Sequence, residues 1–190
     1  MADESKPVEA LGLVQLIVKL GAHLGYEVAT EVQASEAAWV DVVWFDKRIP
    51  FKDLDVIKPR IRYHPVLPIF GFEVELKTGL NAKHIKGSIS NLNTLCAQVG
   101  VIVIGSGNIA IARSSTKKLA LIGDAEIEAG LVKRAYGWIH AEAQPRGRVV
   151  LMTEREVASW AKRVGCVAEV VPGVVPAASD VVQLNPPKPL

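Results

Sequence analysis

Cysteine is scarce: there are two in 190 residues, Cys96 and Cys166. They stand far apart and in no metal-ligand spacing, which excludes a disulfide scaffold and a zinc ribbon and leaves two ordinary thiols. Neither sign of charge is in excess, because 22 Lys and Arg face 20 Asp and Glu for a net +2. Any basic surface must come from placement. No apolar run approaches the roughly 20 residues a membrane helix needs. The most apolar stretch, 99–112, is broken by Gly105, Ser106, Gly107 and Asn108. The N-terminus carries Asp3 and Glu4 where a secretory leader has basic residues, and lacks a small-residue cleavage site. The expectation is a soluble, cytoplasmic protein without a membrane partner. Also missing are a Ser-His-Asp order with an elbow, HExxH, an EF-hand loop and a Gly-Lys-Ser/Thr phosphate loop. Gly105-Ser106-Gly107-Asn108 reads as a tight turn.

What is present is core material. Hydrophobic residues make up 49% and charged residues 22%, enough apolar side chain to fold one domain without staples. We expect a single α/β domain over 8–165 and a Pro-rich, extended or mobile tail over 166–190, holding Pro172, Pro176, Pro186, Pro187 and Pro189. Leu11, Val14, Ile17, Val18 and Leu20 recur at helical spacing. Strands are expected over 26–32 and 39–45, then a turn at Asp46-Lys47-Arg48 and a long loop or short hairpin to 68. Further expectations are a strand over 69–77, a helix over 81–99 ended by Gly100, an apolar strand over 101–104 and a short strand over 109–112. A helix over 124–143 and a strand over 148–152 follow. Thr153 and Glu156 match a capping box that opens a last helix to about 164. Mixed order with an apolar strand between helices predicts a central mixed sheet flanked by helices. The four tryptophans are expected as core or interface anchors.

The most informative segment is Phe70-Gly71-Phe72-Glu73-Val74-Glu75-Leu76-Lys77. Strand side chains alternate faces, so Glu73, Glu75 and Lys77 share one face and Phe72, Val74 and Leu76 the other. A solvent-facing strand accounts for such a pattern. Glu suits strands poorly, however, and two of them two apart repel. Asp41 lies inside the apolar run Val40-Asp41-Val42-Val43, where a charge is costly unless paired, metal-bound or hydrated at a strand end.

Asp41 on one strand and Glu-x-Glu-x-Lys on the next, within the order helix, strand, strand, strand, helix, strand, resembles the PD-(D/E)xK nuclease superfamily. Restriction endonucleases and archaeal Holliday-junction resolvases belong to it. The resemblance spans residues 8–104 and implies a restriction-endonuclease-like core. Asp41 takes the place of the first acid, with Val40 where the family has Pro. Glu75-Leu76-Lys77 matches the second half, and Glu73-Val74-Glu75 is a second register; both keep Asp41 and Glu75. Glu31 or Glu9 is a candidate for a further acid. The implied chemistry is Mg²⁺- or Mn²⁺-dependent hydrolysis of DNA. Asp41, Glu73 and Glu75 would be metal ligands, and Lys77 would orient or deprotonate the attacking water.

Beyond the motif, Lys58, Arg60 and Arg62 alternate, with His64, as on one face of a ribbon arm that could track DNA. Asn81, Lys83, His84, Lys86 and Ser88 open the helix after the acidic strand, and Lys83, Lys86 and Ser90 are candidates for phosphate contacts. The resemblance also implies a homodimer, and the Pro-rich tail is a candidate docking arm for a protein partner. Two other readings stay open: a non-catalytic accessory module of the same fold that binds DNA or protein, and an unrelated α/β binding protein with an exposed charged strand.

Overall fold

A computed structural model of the chain describes residues 10–46, 48, 67–76, 78–115, 122–142 and 148–166. The elements in chain order are α1 (Ala10–His23), β1 (Glu27–Ser35), β2 (Ala38–Phe45), β3 (Pro68–Glu75), α2 (Ala82–Leu95), β4 (Val99–Ile104), α3 (Gly107–Ser115), α4 (Asp124–Glu142), β5 (Val149–Thr153) and α5 (Glu154–Arg163). Five strands form one mixed sheet in the order β1-β2-β3-β4-β5. β1, β2 and β3 run antiparallel as a meander. β3, β4 and β5 run parallel, as their helical crossovers require.

Helices cover both faces. Ile85, Ile89 and Leu92 of α2, with Ile127, Leu131, Ala135 and Ile139 of α4, bury one face against Val43, Phe45, Ile102, Ile104 and Leu151. Leu13, Ile17 and Leu20 of α1, with Val157 and Ala161 of α5, bury the other against Val42, Trp44, Phe72, Val101 and Val103. β4 is therefore apolar at every side-chain-bearing position because it is covered twice. The core beneath α1 and α5 is aromatic: Trp44 stands 4.6 Å from Phe72, 5.3 Å from Phe70, 5.4 Å from Tyr26 and 5.5 Å from Trp160, ring centre to ring centre. α1 can approach this cluster because residue 21 is glycine; a Cβ there would sit 2.5 Å from the Trp44 indole nitrogen.

Local signals explain the element ends. Asn81 caps α2, its side chain accepting from the His84 amide. Thr153 and Glu156 form the capping box of α5, with both reciprocal bonds present. Asp46 accepts from the backbone and guanidinium of Arg48, closing a turn at the end of β2. That guanidinium holds the Asp46 carboxyl below its ordinary range.

Several expectations need correction. Residues 109–112 form part of α3, not a strand. An apolar Ile-Ala-Ile-Ala run fits either state by composition, and the preceding turn decides for helix. α2 ends at Leu95, with Cys96 in the left-handed region at φ 59°, not at Gly100. Gly100 belongs to β4, where its missing Cβ admits Leu92 at 3.0 Å. Trp39 is 47% exposed and anchors no core among the described residues. β3 ends at Glu75. Residues 49–66, 77 and 167–190 lie outside the described residues, as do the expectations placed on them.

Candidate functional site

The two glutamates of β3 share a face, and that face is not solvent. Glu73 and Glu75 are each 8% exposed, beneath α2. Gly71, two residues earlier on the same face, lets Leu92 and Leu95 pack directly on the strand. α2 runs back along β3 and meets each carboxylate with a polar side chain. Ser88 Oγ donates to Glu75 Oε1 at 2.7 Å. Asn91 Nδ2 donates to Glu73 Oε1 at 3.2 Å and to the Trp39 carbonyl at 3.0 Å, tying β2 and β3 to the helix.

Asp41 reaches the same region by an irregularity of the sheet. The β1–β2 register pairs Thr30 with Val42 and Val32 with Val40, and so brackets Glu31 and Asp41. Glu31 takes φ 51°, unusual for a strand residue outside glycine. Across this kink the alternation slips: Val40 and Val43, three apart, both face the α2–α4 core. The β2–β3 ladder stops at Val42 and Phe72. Beyond that point Asp41 Oδ2 accepts from the Val74 amide at 2.6 Å.

The carboxylates act on one another. Burial lifts Glu73 to about 8, helped by the charges of Asp41, Glu75 and Glu31 and opposed by the Asn91 hydrogen bond. Burial also lifts Asp41; the Val74 amide opposes this, and the charges of Glu31 and Glu75 add to it. The exposed Glu31 thus adds its charge to the field at Asp41 and Glu73. Carboxylates of this kind are the hard oxygen donors that divalent cations take. Among the described residues, no three His, Cys, Asp or Glu side chains are already disposed around one point as a metal cage. The carboxylates are instead satisfied by Val74, Ser88 and Asn91.

The other candidates divide into two groups. Lys77, Lys58, Arg60, Arg62, His64 and Glu9 lie outside the described residues. Lys83, Lys86 and Ser90 are exposed on α2, but at about 100° per residue they project from the side opposite Ser88. They do not join the acidic cluster. The sequence alone places Ser88 at the helix start, gives Asn91 no role, and places Asn108 in a tight turn. A signal for the first two was available: His84, Ser88 and Asn91 form a polar i, i+4, i+7 stripe beside the apolar stripe Ile85, Ile89 and Leu92. A polar stripe on a buried helix flank needs partners across it.

Comparisons with protein-family models, curated proteins and solved structures find no match to this chain. Among the described residues no helix is long and apolar enough to cross a membrane.

Proposed function

We propose that the protein is a Mg²⁺- or Mn²⁺-dependent nuclease that hydrolyses DNA phosphodiester bonds, with a restriction-endonuclease-like core. One observation carries the reading: Asp41 of β2 and Glu73 and Glu75 of β3 are electrostatically coupled where the two strands part. The element order helix, three antiparallel strands, helix and parallel strand agrees with the order the resemblance implies.

In this account Asp41, Glu73 and Glu75 would hold the cation, which would supply charge neutralisation and make a water more acidic. Ser88 and Asn91 orient Glu75 and Glu73. Glu73, lifted to about 8, would have to give up its proton to serve as a ligand. Lys77 is the assigned partner of the attacking water or of the developing charge. Cleavage would be structure-directed or non-specific.

One observation favours a second reading, a non-catalytic module that binds DNA or a protein partner. The described carboxylates are satisfied by protein donors and not gathered into a cage. Divalent-cation binding separates the two readings. Cleavage of labelled duplex, single-stranded, flap and four-way-junction DNA in Mg²⁺, Mn²⁺ or EDTA tests the first directly and identifies the substrate form.

A further inference from the structure

Asn108 is the residue after Gly105-Ser106-Gly107, a turn that carries no phosphate-loop pattern. It is 1% exposed, and all four hydrogen-bonding valences of its amide are used. Oδ1 accepts from the backbone amides of Thr78 and Gly79, both at 3.1 Å. Nδ2 donates to the Glu75 carbonyl and, at 3.4 Å, to the Gly105 carbonyl. One side chain thus grips the chain at Glu75, the last residue of β3, and again where it turns toward α2.

The surroundings reinforce that grip. Gly105 donates to the same Glu75 carbonyl at 2.9 Å. A Cβ at position 105 would sit 3.0 Å from the Leu76 Cα, so glycine is what lets the end of β4 lie against the chain leaving β3. After the gripped amides the backbone passes through two left-handed residues, Gly79 at φ 71° and Leu80 at φ 38°. Leu80 is buried and Asn81 caps α2, the helix whose Ser88 returns to the Glu75 carboxylate. A short circuit closes from the Glu75 carbonyl through Asn108, the turn and α2 back to the Glu75 side chain.

We propose that Asn108 is a positioning residue of the acidic site: by clamping the backbone on both sides of the exit from β3, it fixes the Glu75 carboxylate for a divalent cation. This rests on the nuclease reading and extends it to α3, which lies outside the segment that resembles the superfamily. Aspartate cannot substitute, because it keeps the acceptor but turns a second acceptor toward the Glu75 and Gly105 carbonyls.

The test is Mn²⁺ titration, followed by calorimetry, of the full chain and its Asn108→Ala, Asn108→Asp and Val157→Ala variants. Val157 of α5 is buried on the opposite sheet face, so its variant controls for lost stability alone. Both Asn108 variants should weaken Mn²⁺ binding about tenfold or more, the scale of an outer-shell partner, and Val157→Ala should stay within about twofold of the parent. Equal affinity in the parent and a folded Asn108 variant overturns the proposal while sparing the nuclease reading. No Mn²⁺ binding by the parent overturns both. If neither Asn108 variant folds, amide hydrogen exchange of the parent decides: Thr78 and Gly79 must be protected, and exchange at the rate of a free turn overturns the clamp.

Discussion

Asp41 accepts a hydrogen bond from the backbone amide of Val74 at 2.6 Å, across the point where the β2–β3 ladder ends. A side chain thereby does what a strand carbonyl would otherwise do, and its charge is held beside Glu73. Asp41→Asn keeps an oxygen for the amide and removes the charge. Glu73, lifted second by Asp41, should then titrate below its parent value. Carbon-13 NMR of the Glu73 carboxyl measures this, and an unchanged midpoint counts against the coupling.

Stability should fall with rising pH on account of Glu73. Its folded value of about 8 exceeds its ordinary 4.5, so the folded chain holds a proton that the unfolded chain loses. The stabilisation from that proton is complete below pH 4.5 and is lost as pH rises through about 8, at no more than about 1.4 kcal/mol per pH unit. Glu73→Gln should flatten this part of the profile and be more stable than the parent at pH 8. Denaturant titrations across pH 4–9 provide the check; a parent profile that rises through this window contradicts it.

Cation binding should carry the opposite pH dependence, because a bound carboxylate must give up its proton. Mn²⁺ affinity should climb from pH 6 to pH 8 with proton release, read from calorimetry in buffers of different ionisation enthalpy. Saturating Mn²⁺ should raise the melting temperature, and EDTA should reverse the gain. Ser88→Ala and Asn91→Ala should each weaken binding about tenfold, since each removes the donor that orients a ligand.

Packing makes a separate prediction. Gly21→Ala places a methyl 2.5 Å from the fully buried Trp44 ring. Overpacking of this kind costs about 1–3 kcal/mol. Gly87→Ala, with open space at its Cβ, should instead be neutral or mildly stabilising through helix propensity. Chemical denaturation midpoints of the two variants distinguish these outcomes.

Most of the layer architecture was legible because its signals are local. The Thr153–Glu156 cap, the apolar β4 and the helical stripes of α1 and α4 each declare themselves within a few residues. The shared face of Glu73 and Glu75 followed from strand period alone. Whether that face met water or α2 could not follow, because it depends on side chains 13 and 18 residues downstream. The kink at Glu31 was hidden for a related reason: left-handed backbone at a glutamate is imposed by tertiary context, and it shifts Val40 to the opposite alternation from Val42. Asn108 looked like turn punctuation because its four partners lie up to 33 residues away. Residues 109–112 fit strand and helix equally in sequence, because an apolar tetrapeptide has no period of its own; they belong to α3.

The most direct test of the account is cleavage of labelled DNA by the purified protein in Mg²⁺, beside EDTA and beside Asp41→Asn and Glu75→Gln. These substitutions keep shape and hydrogen-bond acceptors while removing charge. The account predicts cutting in Mg²⁺, none in EDTA, and loss of at least about a hundredfold in either variant, the scale expected when a group that neutralises reacting charge is removed. Cutting that persists in both variants, or no cutting of any DNA form with either Mg²⁺ or Mn²⁺, would contradict it.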